Sequence, residues 1–241
     1  MKFLISLILI LSIVYNNCNA FSLNKNSNKK VLDYDICFPS GSTGINGFRT
    51  NILGVGYNSL YPNGDGAISS YIEENQIDVD FENQRLFANY FMKLDGNTEN
   101  IFGSFWAFSS NKTEYYYIVD NDGVYNCYSS EMDYEISANF ELDYVSENQI
   151  GATPCEVYHL KSNLLQNTTI QSIIVDKSQC ALTASILTMV SPASTGVTLV
   201  NYFNYNPSSN PINYELPVEC GNPVPINQVI RPRSLNLFKQ H

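Results

Sequence analysis

From residue 67 to residue 206 the chain is cut into short runs of β-branched and aromatic side chains, separated by clusters of Asn, Asp, Gly, Pro and Ser. Its 17 Tyr and 13 Phe suit a pleated, half-buried surface better than a helix. These runs predict strands at 67–73, 76–82, 85–93, 101–109, 114–120, 123–129, 134–144, 155–161, 170–176, 180–190 and 197–206. Turn chemistry falls between them at Asn63-Gly64-Asp65-Gly66, Glu82-Asn83 and Asp95-Gly96-Asn97. The strongest hairpin signal is Asn121-Asp122-Gly123. Sustained helical periodicity is missing, although 160–168 has room for a short helix. The even spacing points to a mostly β fold, an antiparallel sandwich or barrel rather than alternating strands and helices.

Several of these strands are apolar on both faces. In Arg85–Met92, Phe87 and Phe91 face one way while Leu86, Ala88, Tyr90 and Met92 face the other. In Val197–Tyr205, Val197, Leu199, Phe203 and Tyr205 oppose Val200 and Tyr202. A sheet with one wet face needs alternation, so two-faced apolar strands imply a second covering layer or an apolar cavity. The candidate lining of such a cavity is Phe87, Phe91, Trp106, Leu199 and Phe203, with Trp106 the single tryptophan in an aromatic cluster. A filled core is the alternative reading of the same residues.

The N-terminus sets the expected compartment. Lys2, an apolar run from Phe3 to Tyr15, and Cys18-Asn19-Ala20 are the three parts of a signal peptide in order, with cleavage after Ala20. That run is short of the roughly 20 residues that span a bilayer, and no later segment reaches this length. Residues 21–33 read as a polar, flexible segment and 221–241, with Pro223, Pro225 and Pro232, as an extended tail. Between them 34–220 reads as one domain, since no linker interrupts it.

The expected chemistry is that of a secreted or lysosomal glycoprotein. Cys37, Cys127, Cys155, Cys180 and Cys220 remain after cleavage, an odd number, and are read as disulfide partners rather than metal ligands. Asn111-Lys112-Thr113 and Asn167-Thr168-Thr169 are N-glycosylation sequons. With 13 basic and 23 acidic residues the net charge is −10, and no basic patch offers itself to nucleic acid. His159 is a lone strand histidine, no nucleophile elbow is present, and no metal or cofactor is expected.

A longer pattern resembles a known family. The segment Asp176–Cys180, a long strand, Val197–Tyr205 and the ending Leu216-Pro217-Val218-Glu219-Cys220 is similar to the C-terminal half of ependymin-related proteins. Cys37-Phe38-Pro39 and the hairpin of Asp122-Gly123 with Cys127 fall where that family places its cysteines. The resemblance implies a strongly curved antiparallel sheet forming a half-open barrel or sandwich, of the LolA/LolB carrier type, around an apolar cavity. It also implies pairing of Cys37 with Cys180 and of Cys127 with Cys220, leaving Cys155 as a thiol. The function then expected is a non-enzymatic binding protein for a lipid or other hydrophobic small molecule. The rival reading is an adhesion or matrix protein acting through a homodimer or an extracellular protein partner; a carbohydrate-active enzyme ranks third.

Overall fold

The computed structural model describes residues 46–60, 68–96, 100–119, 123–138, 142–160, 169–189 and 196–226. The expected signal peptide, the 21–33 segment, Cys37, the 161–168 stretch with Asn167, and residues beyond 226 lie outside them.

Twelve strands form one sheet: β1 (Gly47–Leu60), β2 (Ile68–Asp80), β3 (Arg85–Leu94), β4 (Asn100–Phe108), β5 (Thr113–Val119), β6 (Tyr125–Glu131), β7 (Leu142–Ile150), β8 (Thr153–Leu160), β9 (Thr169–Asp176), β10 (Ala181–Met189), β11 (Val197–Asn206) and β12 (Val224–Pro225). Their order is β12-β6-β5-β4-β3-β2-β1-β11-β10-β9-β8-β7, and the outermost strands, β12 and β7, are not paired with each other. Neighbours run antiparallel except β12, which pairs parallel to β6. The mostly β, curved antiparallel architecture expected from the sequence is therefore present, as a single open sheet.

Curvature follows from where the core lies. Ile77 on β2, Phe105 on β4, Tyr116 on β5, Tyr158 on β8 and Ile173 on β9 belong to one buried apolar cluster. Strands this far apart in the order share a cluster only if the sheet bends around it, as wide twisted sheets tend to do.

Three elements depart from the sequence reading, each for a local reason. β1 was missed because Gly47, Gly54, Gly56 and its asparagines weigh against a strand. Here the glycines make room. A Cβ on Gly54 would lie 2.5 Å from the Glu73 side chain, and one on Gly56 would lie 2.3 Å from the Tyr71 ring. Both neighbours are buried on β2, so the small residue on one strand admits the large one on the next.

β2 is one strand, not the two predicted at 67–73 and 76–82. The polar run Glu73-Glu74-Asn75-Gln76 looked like a break, yet Glu73 and Asn75 point inward and are buried while Glu74 and Gln76 stay exposed.

The predicted strand 134–144 is the third correction: β7 begins only at Leu142. Met132, Tyr134 and Ile136 do alternate inward, but they pack against the core as the chain passes from β6 towards β7 at the opposite end of the order. Tyr134 donates its hydroxyl to Glu114, a buried carboxylate that also accepts from Tyr116 and from Ser130 Oγ at 3.1 Å. A hydroxyl-lined carboxylate thus ties the crossing segment to β5.

Cys127 and Cys220 form a disulfide. Cys180 is disulfide-bonded as well, with a partner outside the described residues. Cys155 is a free, buried thiol on β8, and burial raises its pKa, with the Asp176 charge adding to the effect. Alkylation of the native protein is therefore expected to leave Cys155 unlabelled, while denaturation under non-reducing conditions exposes it to labelling. Peptide mapping would read this directly; a bridge from Cys155 to another cysteine would contradict the assignment.

Candidate binding groove on the outer face

The face turned away from the core cluster is covered only in part. After β11 the chain folds back across it through two short 3₁₀ helices, Pro211–Tyr214 and Val218–Gly221. This strap is held at three places. Buried Asp78 accepts from the Asn210 backbone N–H at 2.9 Å, from Asn213 Nδ2 at 2.8 Å and from the Tyr214 hydroxyl at 2.7 Å. Trp106 donates its indole N–H to the Asn213 carbonyl at 2.8 Å. Beyond them, Cys220 is bonded to Cys127 on β6, and the β12 strand closes on Tyr128 and Ser129.

Electrostatics at the strap pull in two directions. Burial raises the Asp78 pKa, and the hydrogen bonds from Tyr214, Asn210 and Asn213, with the Arg49 charge, offset only part of that rise. Burial acts the same way on Asp80, but the hydrogen bonds from Asn83 and Arg85 outweigh it and bring Asp80 below its ordinary value. Arg85 links the two groups. It pairs with Asp80 at 2.8 Å and lies 4.1 Å from the centre of the Tyr214 ring, a cation–π contact. Tyr214 is held neutral, first by burial and then by Asp78.

Beside the strap the outer face stays open over β1 to β6, where it forms a groove of about 780 Å³. Register places its lining in rows that cross the strands. One row runs Asn51, Gln76, Asn89, Ser104, Tyr117, each residue directly opposite the next. The adjacent row runs Leu53, Glu74, Phe91, Phe102 and is continued by Val119 opposite Tyr125. Phe102 is 51% exposed and Tyr125 55%. The rings are paired: Phe91 and Phe102 at 4.9 Å between centroids, Tyr117 and Tyr125 stacked at 5.0 Å. Burial raises the Tyr117 pKa, and Glu219 and Tyr125 add to it, so this hydroxyl remains a neutral donor.

The five side chains proposed from the sequence as a cavity lining all lie on this outer face, in three settings. Phe87 and Trp106 are buried under the strap, 5.4 Å apart and clustered with Tyr214. Phe91 is half-buried in the open groove. Leu199 and Phe203 sit on β11 outside it, Leu199 half-buried and Phe203 48% exposed. The amide row was missed in the sequence. Its members come from five strands, and only the register shows that they stand side by side.

Of the other residues singled out, Asn111 is exposed in the turn between β4 and β5, where Thr113 donates its backbone N–H to the Asn111 side chain at 3.2 Å. His159 is exposed on β8. Among the described residues no cluster of three or more His, Cys, Asp or Glu is placed to hold a metal ion. No helix among them is long and apolar enough to cross a membrane.

Several known proteins are similar to this chain. An uncharacterized protein of Dictyostelium discoideum is 22% identical over 196 residues, 80% of this chain and 60% of that protein, so the chain spans less than two thirds of that relative. Among solved structures, a DUF1329 family protein from Desulfovibrio piger has a TM-score of 0.32 at 9% identity, covering 68% of this chain and 86% of the other. MucB has a TM-score of 0.31 at 9% identity, covering 77% of this chain and 62% of its own. Overlaps of that size bear on neither ligand nor activity. The family assignment rests instead on a match of residues 35–239 to the ependymin domain of amoebozoa, which takes in the strap together with the sheet. The chain belongs to that family.

Proposed function

We propose that the protein is a non-enzymatic binding protein of the cell exterior or of a lysosomal lumen, and that it holds an uncharged, lipid-like ligand against the open groove. The observation that carries this reading is the apolar row of half-buried Phe91 and Val119 with exposed Phe102 and Tyr125 on the open face of the sheet. An apolar patch of that kind, rimmed by polar side chains, marks a place where something else is bound. Among the described residues no Lys or Arg lines the groove and Glu74 stands in its floor, which disfavours anionic head groups. The disulfides at Cys127–Cys220 and Cys180 fit an oxidising compartment.

Titrating a fluorescent monoacylglycerol analogue, uncharged like the proposed ligand, onto the folded protein tests this, with Trp106 as energy-transfer donor. Saturable binding is expected. Phe102→Asp, at an exposed position, should weaken it about tenfold, equivalent to about 1.4 kcal/mol or some 50–60 Å² of apolar contact. Circular dichroism of the variant should match that of the parent. No saturable binding, or binding indifferent to Phe102, would remove the lipid reading.

A second reading, contact with protein partners or a second copy, has its own support in Tyr57, Ile170 and Phe203, each nearly half exposed on β1, β9 and β11. Concentration-dependent self-association abolished by Phe203→Asp would favour it.

A further inference from the structure

The amide row has no use for an acyl chain. An acyl chain on the aromatic row leaves Asn51, Gln76 and Asn89, all exposed, without a hydrogen-bonding partner on the ligand. What the row offers is one hydrogen-bonding side chain per strand. Neighbouring strands are ~4.8 Å apart, so from β1 to β5 the groove carries a polar group at each step over roughly 19 Å. Ser104 Oγ donates to Asn89 Oδ1 at 2.6 Å, which fixes that amide within the row. Parallel to it, two residues further along β3 and β4, lie the paired rings of Phe91 and Phe102.

An extended peptide would not keep step with this spacing. Its residues advance ~3.3 Å and return to the same side only every second position. It would also meet the face of a sheet, where no backbone groups are open to strand addition. A linked pyranose unit advances by about the 4.8 Å that separates neighbouring strands. It brings hydroxyls along its edge and a flat C–H face, the chemistry that an amide ladder beside an aromatic row accepts. Charge narrows the class. With no basic side chain in the lining, a carboxylate at Glu74 and a net charge of −10, a sulfated or uronic-acid chain would be repelled.

We propose that the groove binds a neutral, unbranched saccharide chain laid across the strands, one sugar per strand from β1 to β5, with hydroxyls on the amide row and ring faces on Phe91 and Phe102. This rests on the groove being the binding surface of the protein, and not on a lipid being its occupant.

The test is calorimetric titration of the intact folded protein with neutral β-1,4-linked gluco-oligosaccharides of two, four and six units, and with a hexagalacturonate as the charged control. Affinity should rise with length up to the hexamer, be insensitive to salt and be absent for the charged chain. Asn89→Ala and Gln76→Ala, both at exposed positions, should each weaken hexamer binding about fivefold to tenfold, and Phe102→Ala by at least as much. Folding is checked by circular dichroism. If the monoacylglycerol analogue binds in a Phe102-dependent way and no hexamer binds at millimolar concentration, the saccharide assignment falls while the lipid reading stands. If neither ligand binds, the groove is not the binding surface and both fall. Hexamer binding that is independent of length, or unchanged in both amide variants, also overturns the placement.

Discussion

Replacing Cys127 and Cys220 together by alanine is expected to cost about 4–5 kcal/mol, the chain-entropy value for a loop of this size. The bridge closes a sequence separation of 93 residues, from the sixth strand to the far end of the strap. That is a large share of the roughly 5–15 kcal/mol by which a domain is stable. The loss should be local before it is global. Without the bridge, β12 has only its short parallel pairing to Tyr128 and Ser129, and Val218–Gly221 retains no comparable anchor on β6. Amide exchange should therefore accelerate first in β6 and β12. Protection of β10 and β11, on the other side of β1, should hold until unfolding is complete. Denaturant unfolding of the double variant beside the parent gives the total, and a cost below about 1 kcal/mol would mean that the other strap contacts suffice on their own.

Legibility in the sequence followed the range of the interactions. β3 and β11 were readable because a strand rich in aromatic and β-branched residues, bounded by turn residues, needs no distant partner to be recognised. The Gly96 and Gly123 turns, both at positive φ, were readable for the same reason. β1 was not, because its glycines make sense only against Glu73 and Tyr71 on the next strand. Buried Glu73 and Asn75 likewise made the middle of β2 look like a turn.

The second apolar face was legible as a fact but not in its use. The sequence placed Phe87 with Phe91 by their shared alternation and added Trp106 from its aromatic cluster. Their separation into a covered cluster and an open groove depends on Tyr214, which reaches Asp78 across 136 positions of chain. The amide row is further from legibility still. Asn51, Gln76, Asn89 and Ser104 are ordinary polar strand residues one at a time, and only antiparallel register makes a ladder of them.

Asp78→Ala is expected to destabilise the protein by about 3 kcal/mol, because it leaves three donors on the strap without their acceptor, the buried Tyr214 hydroxyl and the partly buried Asn210 N–H and Asn213 amide. The figure is less than the sum of three stranded groups, since the substitution also removes a carboxylate that burial disfavours. Asp78→Asn keeps one acceptor oxygen and should cost about half as much.

The pH dependence separates Asp78 from its neighbour. Asp78 has its pKa raised from 3.8, so the folded state holds this proton more tightly than the unfolded chain does. Its contribution is fullest below that ordinary value and is lost as pH rises through the raised one. Asparagine resembles the protonated acid, so the cost of Asp78→Asn should shrink from pH 4 to pH 7, or at least not grow. Asp80 has its pKa lowered from 3.8, and its contribution is present above the ordinary value and lost as pH falls through the lowered one. The cost of Asp80→Asn, which weakens the pairing with Arg85, should therefore stay nearly level from pH 7 down to pH 4 and shrink below that. Urea unfolding of the two variants from pH 3 to pH 7 reads the two windows, Asp78 above its ordinary value and Asp80 below it. Parallel slopes would mean that the strap does not depend on the Asp78 carboxyl as the geometry requires. Loss of Trp106 protection in Asp78→Ala, followed by quenching of its fluorescence, would place the opening at the strap rather than in the core, because Trp106 is the one indole beneath it.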